Sequence, residues 1–399
     1  MRKIVVFFLI VIANLGCEKK SSQLTTKEKI EDFEFLYKEL KESYPYFHIN
    51  KRLNNIDWLS NKNLYLDNVL KTKNDKEFLN AINEILDDLN NDHTDIYPTL
   101  IYDYFLKAYQ RGFKKYGLYK AYVEELEKTN TIKTNYWSLI DKELKKIEVS
   151  NKNLKETEKE VNLIVDEKKE DSIAIIKIRS FSYDLIEQDS EKLQIFFQNK
   201  LNDYSSLIID IQGNKGGDTS YWSDNIISYL IKDTLKYTVN YGYKTSERIK
   251  RFKPDYFKKN GSYKDLGLEK IPQELKSQEY LIYSTKHKIN PKSNQRYQGK
   301  VFLLVDKEVY SSAEALAHFF KTTKIGMVIG ERTNGDGVGT DPLLLTLPNS
   351  GLVVRFTGEM GLNPDGSANE ETKTIPDILI SAKSPEERLN NLLSEIRNN

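Results

Sequence analysis

One cysteine and four histidines in 399 residues leave little room for several kinds of chemistry. A single thiol makes no internal disulfide, no cysteine-based zinc site and no CxxC redox pair. The histidines, His48, His93, His287 and His318, are too scattered for a histidine-rich metal centre, and neither HExxH nor calcium-loop spacing occurs. No metal and no other cofactor is expected. Charge of one sign is also lacking: 60 basic against 59 acidic residues leave a net charge of +1. That excludes the globally basic surface of a nucleic-acid binder and the acidic excess of a solvating chain. Aromatic residues are plentiful by contrast. With 25 Tyr, 17 Phe and 3 Trp the chain can bury a sizeable core, so disorder over most of its length is excluded.

The amino terminus reads as an address. Met1-Arg2-Lys3 precedes an apolar run from Ile4 to Ala13, which stops at Asn14-Leu15-Gly16-Cys17. A basic start, a short apolar stretch and a small residue before the break make a secretory signal. The run falls short of the roughly 20 residues that span a bilayer. Its end resembles a bacterial lipoprotein signal, with Asn14 standing where an aliphatic residue is usual. The resemblance implies a lipoprotein signal over 1–17, cleaved before Cys17 so that the lipidated cysteine becomes the first mature residue, a polar tether over 18–26, and a place in the cell envelope on a bacterial membrane. An ordinary signal with an incidental cysteine is the alternative.

Apolar spacings of three and four over residues 27–94, as in Phe33, Leu36, Tyr37, Leu40 and Phe78, Ile82, Ile85, Leu86, predict a helical N-terminal domain. The first helix should stop at Tyr44-Pro45. The segment 95–170 reads as a further helical insertion. From 171 the texture changes: Ile173–Ile178, Leu207–Ile211 and Val301–Val305 read as strands, each followed by a helical pattern. Such alternation argues for a mixed α/β core over 171–383. Residues 240–298 read as an insertion or lid, 343–347 and 352–356 as a hairpin, 375–380 as a last strand, and 384–399 as a C-terminal helix or tail.

Four segments could carry chemistry. Asp210-Ile211-Gln212-Gly213-Asn214-Lys215-Gly216-Gly217 is a glycine-rich turn after a strand, able to aim N–H groups at an anion; it could equally be only a turn. Ser311 follows a strand at a helix start, as a nucleophile would, although Ser311-x-x-Glu314 also fits a capping box. His93 sits in Asn91-Asp92-His93-Thr94, and Asn363-Pro364-Asp365-Gly366 leads on to Glu370, Glu371 and Ile375-Pro376-Asp377.

Taken in order, these segments resemble the S41 serine peptidases, the family of tail-specific and C-terminal-processing proteases. The matching motifs are the glycine-rich turn 210–217, with Gln212 where the family has arginine, then Ser311-Ser312-Ala313-Glu314 and Gly330-Glu331-Arg332-Thr333-Asn334-Gly335. The processing branch carries a lysine base in Gly-Lys-Gly; here that position is Asp336, which cannot replace a neutral amine as the base. The resemblance therefore turns to the tricorn-like branch with Ser, His and Glu. It implies a crotonase-like (ClpP/crotonase-type) α/β core after a helical N-terminal domain, without an evident PDZ module. It also implies catalytic Ser311, His93 and Glu370, with Glu371 as alternate, and an oxyanion hole from the N–H groups of Gly216 and Ser312, with Gly217 competing with Gly216. An imidazole has a pKa suited to taking a hydroxyl proton near neutrality. His318, two helical turns beyond Ser311, reads as core or pocket wall, and His48 and His287 as structural.

The expected function is a serine-type endopeptidase or carboxy-terminal-processing peptidase acting on peptides or unfolded proteins, anchored through Cys17. The alternatives are a non-catalytic lipoprotein that binds a peptide or apolar ligand, and a hydrolase of non-peptide esters or amides.

Overall fold

A computed structural model describes residues 23–97, 99–132 and 161–398. Cys17 and the signal segment lie outside the described residues, as does the middle of the 95–170 segment.

Helix α1 (Thr26–Ser43) starts at a capping box in which Thr25 and Glu28 satisfy each other's backbone N–H groups. It stops at Tyr44, held extended by Pro45. Helices α2 (Phe47–Asn54), α3 (Lys62–Leu70) and α4 (Asp75–Asp87) follow. Their apolar stripes close on one another: Phe33, Leu36, Leu40, Phe78 and Ile82 are fully buried. Trp58 stacks between Tyr37 and Phe47, with ring centroids 5.1 and 5.3 Å away, and its indole N–H donates to the Ile85 carbonyl. The chain then turns through Asn91–Thr94 into the short strand β1 (Asp95–Ile96) and the hairpin of α5 (Thr99–Tyr116) and α6 (Lys120–Ile132).

The second region is built on a six-stranded sheet. Strands β2 (Leu163–Lys168), β3 (Ile173–Ile178) and β4 (Ser206–Asp210) are joined by α7 (Tyr183–Asn199), and a helical turn α8 (Thr219–Trp222) follows β4. The antiparallel pair β5 (Leu235–Lys244) and β7 (Tyr280–Ile289) comes next, with helix α9 (Glu247–Phe252) and the short β6 (Asn260–Gly261) between them. The sheet resumes with β8 (Lys300–Val305), α10 (Ser312–Thr323) and β9 (Met327–Gly330). A hairpin of β10 (Leu343–Thr346) and β11 (Val353–Phe356) leads to β12 (Glu359–Leu362), α11 (Asn369–Thr372), β13 (Ile378–Leu379) and α12 (Pro385–Asn398). The six-stranded order is β13-β9-β8-β4-β3-β2, parallel throughout except for β2.

Because side chains alternate along a strand, this sheet has two apolar faces, as a parallel sheet requires. Ala174, Ile176, Leu207, Ile209, Leu303 and Val305 pack with residues of α7, α8 and α10. Ile173, Ile175, Ile208, Phe302 and Leu304 pack with Leu389, Leu392 and Leu393 of α12. Each such fully buried side chain contributes about 1.5–3 kcal/mol.

Two stretches differ from the sequence reading. Residues 163–168 form edge strand β2, not helix; half of the strand faces solvent, so charged Asp166, Glu167 and Lys168 mask its alternation. Residues 240–298 are not a loop-like lid but hold most of a long antiparallel ribbon, with β5 and β7 paired over ten residues each. Val239, Tyr241 and Tyr243 recur at every second position and fill one side of it.

Candidate active site

The parallel sheet delivers its functional turns at the carboxyl ends of its strands, as open α/β sheets do. After β8 the chain turns through Asp306, whose carboxylate accepts the N–H groups of Gly213 and Glu308 and so ties this turn to the one after β4. Tyr310 N–H then donates to the Asn214 carbonyl, and α10 begins at Ser312.

Ser311 lies between these elements with φ 55° and ψ −126°, a conformation costly for any residue with a Cβ. Its side chain makes no capping bond, so the capping-box explanation of Ser311-x-x-Glu314 fails. Glu314 instead runs inward, fully buried, where it accepts from Asn369 and Thr374; burial raises its pKa despite those bonds. The Ser311 hydroxyl is 3.1 Å from His93 Nε2. Two glycines allow the surrounding turns to close. A Cβ on Gly216 would meet Ser312 N at 2.7 Å and Ser311 Cβ at 2.8 Å, and one on Gly337 would meet the Ser311 carbonyl oxygen at 2.1 Å.

His93 comes from the helical region, 218 residues from Ser311 in sequence. Its loop is fixed by Asn91 and by Asp95, which pairs with Arg355 of β11. On its far side His93 Nδ1 lies 2.9 Å from Asp336 Oδ2. The serine, imidazole and carboxylate therefore form one line, with the carboxylate on the nitrogen opposite the hydroxyl. That geometry fixes Nδ1 as the protonated nitrogen and leaves Nε2 as the acceptor.

Asp336 is enclosed. Oδ2 accepts from Asn91 Nδ2 at 2.8 Å, Thr357 Oγ1 at 2.9 Å and Tyr310 OH at 3.3 Å, and Oδ1 accepts from Tyr46 OH at 3.0 Å. Burial alone would raise its pKa, but the His93 hydrogen bond and charge, with Asn91 and Thr357, outweigh it and hold the carboxyl below its usual range. Asp336 itself adopts φ 43°, between Gly335 and Gly337.

Two of the expected site residues spend their polar groups elsewhere than on the serine and imidazole. Glu370 does not reach the imidazole: its Oε1 accepts from Asn91 Nδ2 at 3.3 Å, and its Oε2 pairs with Lys373 at 3.1 Å. It stands behind Asn91, where burial first and the Asp336 charge second push its pKa up to about 8. Two carboxylates cannot both ionise so close together in a dry site, and Asp336, equally buried but with more hydrogen-bond donors and the imidazole beside it, keeps the charge. The alternate, Glu371, is further out and paired with Arg52 of α2. Gly216 is the second of these. Its N–H donates to Asn214 Oδ1 at 2.8 Å, because the buried Asn214 side chain folds back on its own turn and is anchored to the Ile178 carbonyl. The N–H groups of Gly217 and Ser312 have no acceptor among the described residues, and Gly217 is exposed.

Gln212, where the resemblance leads one to expect arginine, sits beside the guanidinium of Arg388. Its side chain bonds Asp210 and the Pro385 carbonyl, and it accepts from Arg388 of α12, which also pairs with Glu331. The guanidinium is supplied from the C-terminal helix. His318 is buried, bonded to the Leu362 carbonyl, and burial lowers its pKa to about 4; it belongs to the core. His48 is exposed, and His287 stacks on Tyr237 in the β5–β7 ribbon. Among the described residues no cluster of potential metal ligands occurs.

The role of Asp336 was hidden because it was weighed only as a base in place of lysine; its position between two glycines after Gly330-Glu331-x-Thr333 was the available signal. Nothing in the sequence marked Tyr46, Tyr310 or Thr357.

The chain belongs to peptidase family S41, whose sequence pattern matches residues 172–380, more than half of its length. No curated protein is significantly similar in sequence. Solved structures share the fold at low identity. A Parabacteroides merdae protein described as a candidate peptidase is 18% identical over 92% of this chain and 96% of its own, with a TM-score of 0.57. Mature CPAF is 13% identical over 93% of this chain and 96% of its own, with a TM-score of 0.56. The α/β core preceded by helices is thus the S41 peptidase fold.

Proposed function

We propose that the chain is a serine-type peptidase with a Ser311–His93–Asp336 triad, acting on peptides or unfolded proteins as an endopeptidase or carboxy-terminal-processing enzyme. The observation that carries this reading is the hydrogen-bonded line from Ser311 Oγ to His93 Nε2 (3.1 Å) and from His93 Nδ1 to Asp336 (2.9 Å), built on a strained serine.

In the first step Ser311 Oγ attacks the scissile carbonyl while its proton passes to His93 Nε2. The oxyanion accepts from the N–H groups of Gly217 and Ser312, which are free for it. When the tetrahedral intermediate collapses, the C–N bond breaks and the imidazolium protonates the leaving amine. Water then repeats the sequence on the acyl-enzyme and releases the acid. Asp336 remains ionised throughout and stabilises the imidazolium. Neutral Glu370 adds no second negative charge beside it.

Cys17, at the end of the apolar run, supports anchoring on the envelope side of a bacterial membrane, with the peptidase held there by a short tether. Incubation of the protein with an unfolded substrate and a fluorophosphonate tests the enzymatic reading. Cleavage and labelling should occur in the wild type and vanish in Ser311→Ala. A folded wild type that neither cleaves nor labels would return the molecule to the binding alternative.

A further inference from the structure

Tyr310, immediately before the nucleophile, does more than extend the turn. Its ring lies against the His93 imidazole, with centroids 4.8 Å apart and planes 39° apart. Its hydroxyl is 3.3 Å from Asp336 Oδ2 and 3.3 Å from His93 Nδ1. Its backbone is held on both sides, by the Asn214 carbonyl and by a bridge to Gly335. The hydroxyl is buried beside Asp336, which keeps it protonated, so it is a donor. Nδ1–H and the tyrosine O–H therefore converge on one carboxylate oxygen, and the protonated Nδ1 cannot accept from the tyrosine.

We propose that Tyr310 is a positioning residue of this site: its ring is the shelf that fixes the plane of His93, and its hydroxyl shares Asp336 Oδ2 with that imidazole. This rests on the triad reading above. The physical content lies in what the carboxylate does with its charge. Each donor to Oδ2 withdraws electron density, weakens the pull on the Nδ1 proton and softens the field at the ring. Removing the hydroxyl leaves a more basic carboxylate facing the same imidazole, so His93 should hold its second proton to higher pH. The other charged or titratable groups around this pair are Glu370, Asp92, Tyr44, Tyr46 and Arg355. None of them moves in a Tyr310→Phe variant, which keeps the ring.

The test is a titration of His93 by NMR in full-length protein labelled at histidine, where only four imidazoles must be told apart. Alongside it, the pH dependence of kcat/KM on a short ester is measured. Tyr310→Phe should raise the His93 midpoint by about half a unit or more, and move the acidic limb of the rate profile upward with it, because that limb reports the free enzyme's base. It should lower kcat severalfold with little change in KM. Tyr310→Leu, which removes the shelf as well, should lower kcat further. An unchanged His93 midpoint in folded Tyr310→Phe overturns the proposal. The NMR readout does not need turnover: a shifted midpoint in a protein that never turns over would uphold the positioning and sink the peptidase reading.

Discussion

The two halves of the active site come from regions of very different character. The parallel sheet and its turns supply Ser311, Asp336 and the free N–H groups, and lie inside the matched S41 region. The helical region before it supplies His93, Asn91 and Tyr46 from outside that region. The sheet side is rigid for a local reason: glycines let three turns approach within contact distance of one serine. The helical side is docked through a shared apolar core, in which Phe33, Leu36 and Phe78 lie in one cluster with Leu343, Leu345, Val354 and Phe356, and through polar ties that set its register: Arg355–Asp95, Arg52 with Glu371 and Glu274, and Tyr46 with Asp336. The nucleophile is thus locally determined, whereas the base depends on docking between regions. Effects of mutation should divide along that line.

The largest effects belong to the reacting groups themselves. Ser311→Ala and His93→Ala should each lower kcat by about 10⁵–10⁶-fold on a peptide or ester substrate, and the double variant should be hardly worse, since members of a triad act as a unit. Additive losses would break the comparison, because the two regions would then act independently.

Next comes the carboxylate. Asp336→Asn reverses the hydrogen-bonding sense at Nδ1 and should cost about 10³–10⁴-fold in kcat. Glu370→Gln, which replaces a neutral acid by a neutral amide of the same shape, should cost less than about tenfold near pH 7. Its effect on stability is of a definite sign. A carboxyl raised to about 8 holds a proton in the folded state that the unfolded chain has released, so stability falls as pH rises from about 4.5 to 8. Glu370→Gln should therefore flatten the pH dependence of Tm in that window and raise Tm at its upper end. His318 works in the opposite direction. Lowered to about 4 by burial, it stays neutral where the unfolded chain takes up a proton, and stability falls as pH drops below about 6.5. Thermal melts from pH 4 to 9 separate the two contributions.

The smallest effect is at the junction. Arg52→Ala removes a half-exposed guanidinium that ties α2 to Glu371 of α11 and to Glu274. The Glu371 pair contributes roughly 1 kcal/mol or less, and leaving the buried Glu274 carboxylate without its partner adds to that, so Tm should fall by at least about 2–4 °C. If docking of the helical side sets the position of His93, fluorophosphonate labelling should slow severalfold as well. Slower labelling with unchanged Tm would sharpen the comparison further.

The sheet side was also the more legible. Ile173–Ile178, Leu207–Ile211 and Val301–Val305 declare themselves by β-branched runs, and the motifs after them carry their order in the sequence. His93 and Ser311 could be paired only through the family resemblance, because 218 residues separate them and periodicity says nothing of distance. The contact of Asp336 with the imidazole was not legible for a physical reason. Several carboxylates lie within the same motifs, and only burial and donor count decide which is ionised and which reaches the ring. Asp336 has five donors on its two oxygens, including His93; Glu370 has Asn91 and Lys373. The choice between Gly216 and Gly217 was not legible either, because the Asn214 side chain takes the Gly216 N–H, and a sequence shows no fold-back of that kind. The β5–β7 ribbon was legible in principle, since Val239, Tyr241 and Tyr243 alternate with Asn240 and Gly242, but the lysines, tyrosines and serines of the segment as a whole gave it the look of an insertion or lid.

The claim at the centre is that Asp336 orients His93 toward Ser311. The most direct measurement is the rate at which a fluorophosphonate modifies Ser311, followed by mass spectrometry of the modified peptide, in wild type, Asp336→Asn and Glu370→Gln. The expected result is modification at Ser311 slowed by at least about 10²-fold in Asp336→Asn and by less than about tenfold in Glu370→Gln. The reverse order, or modification at another serine, would contradict it.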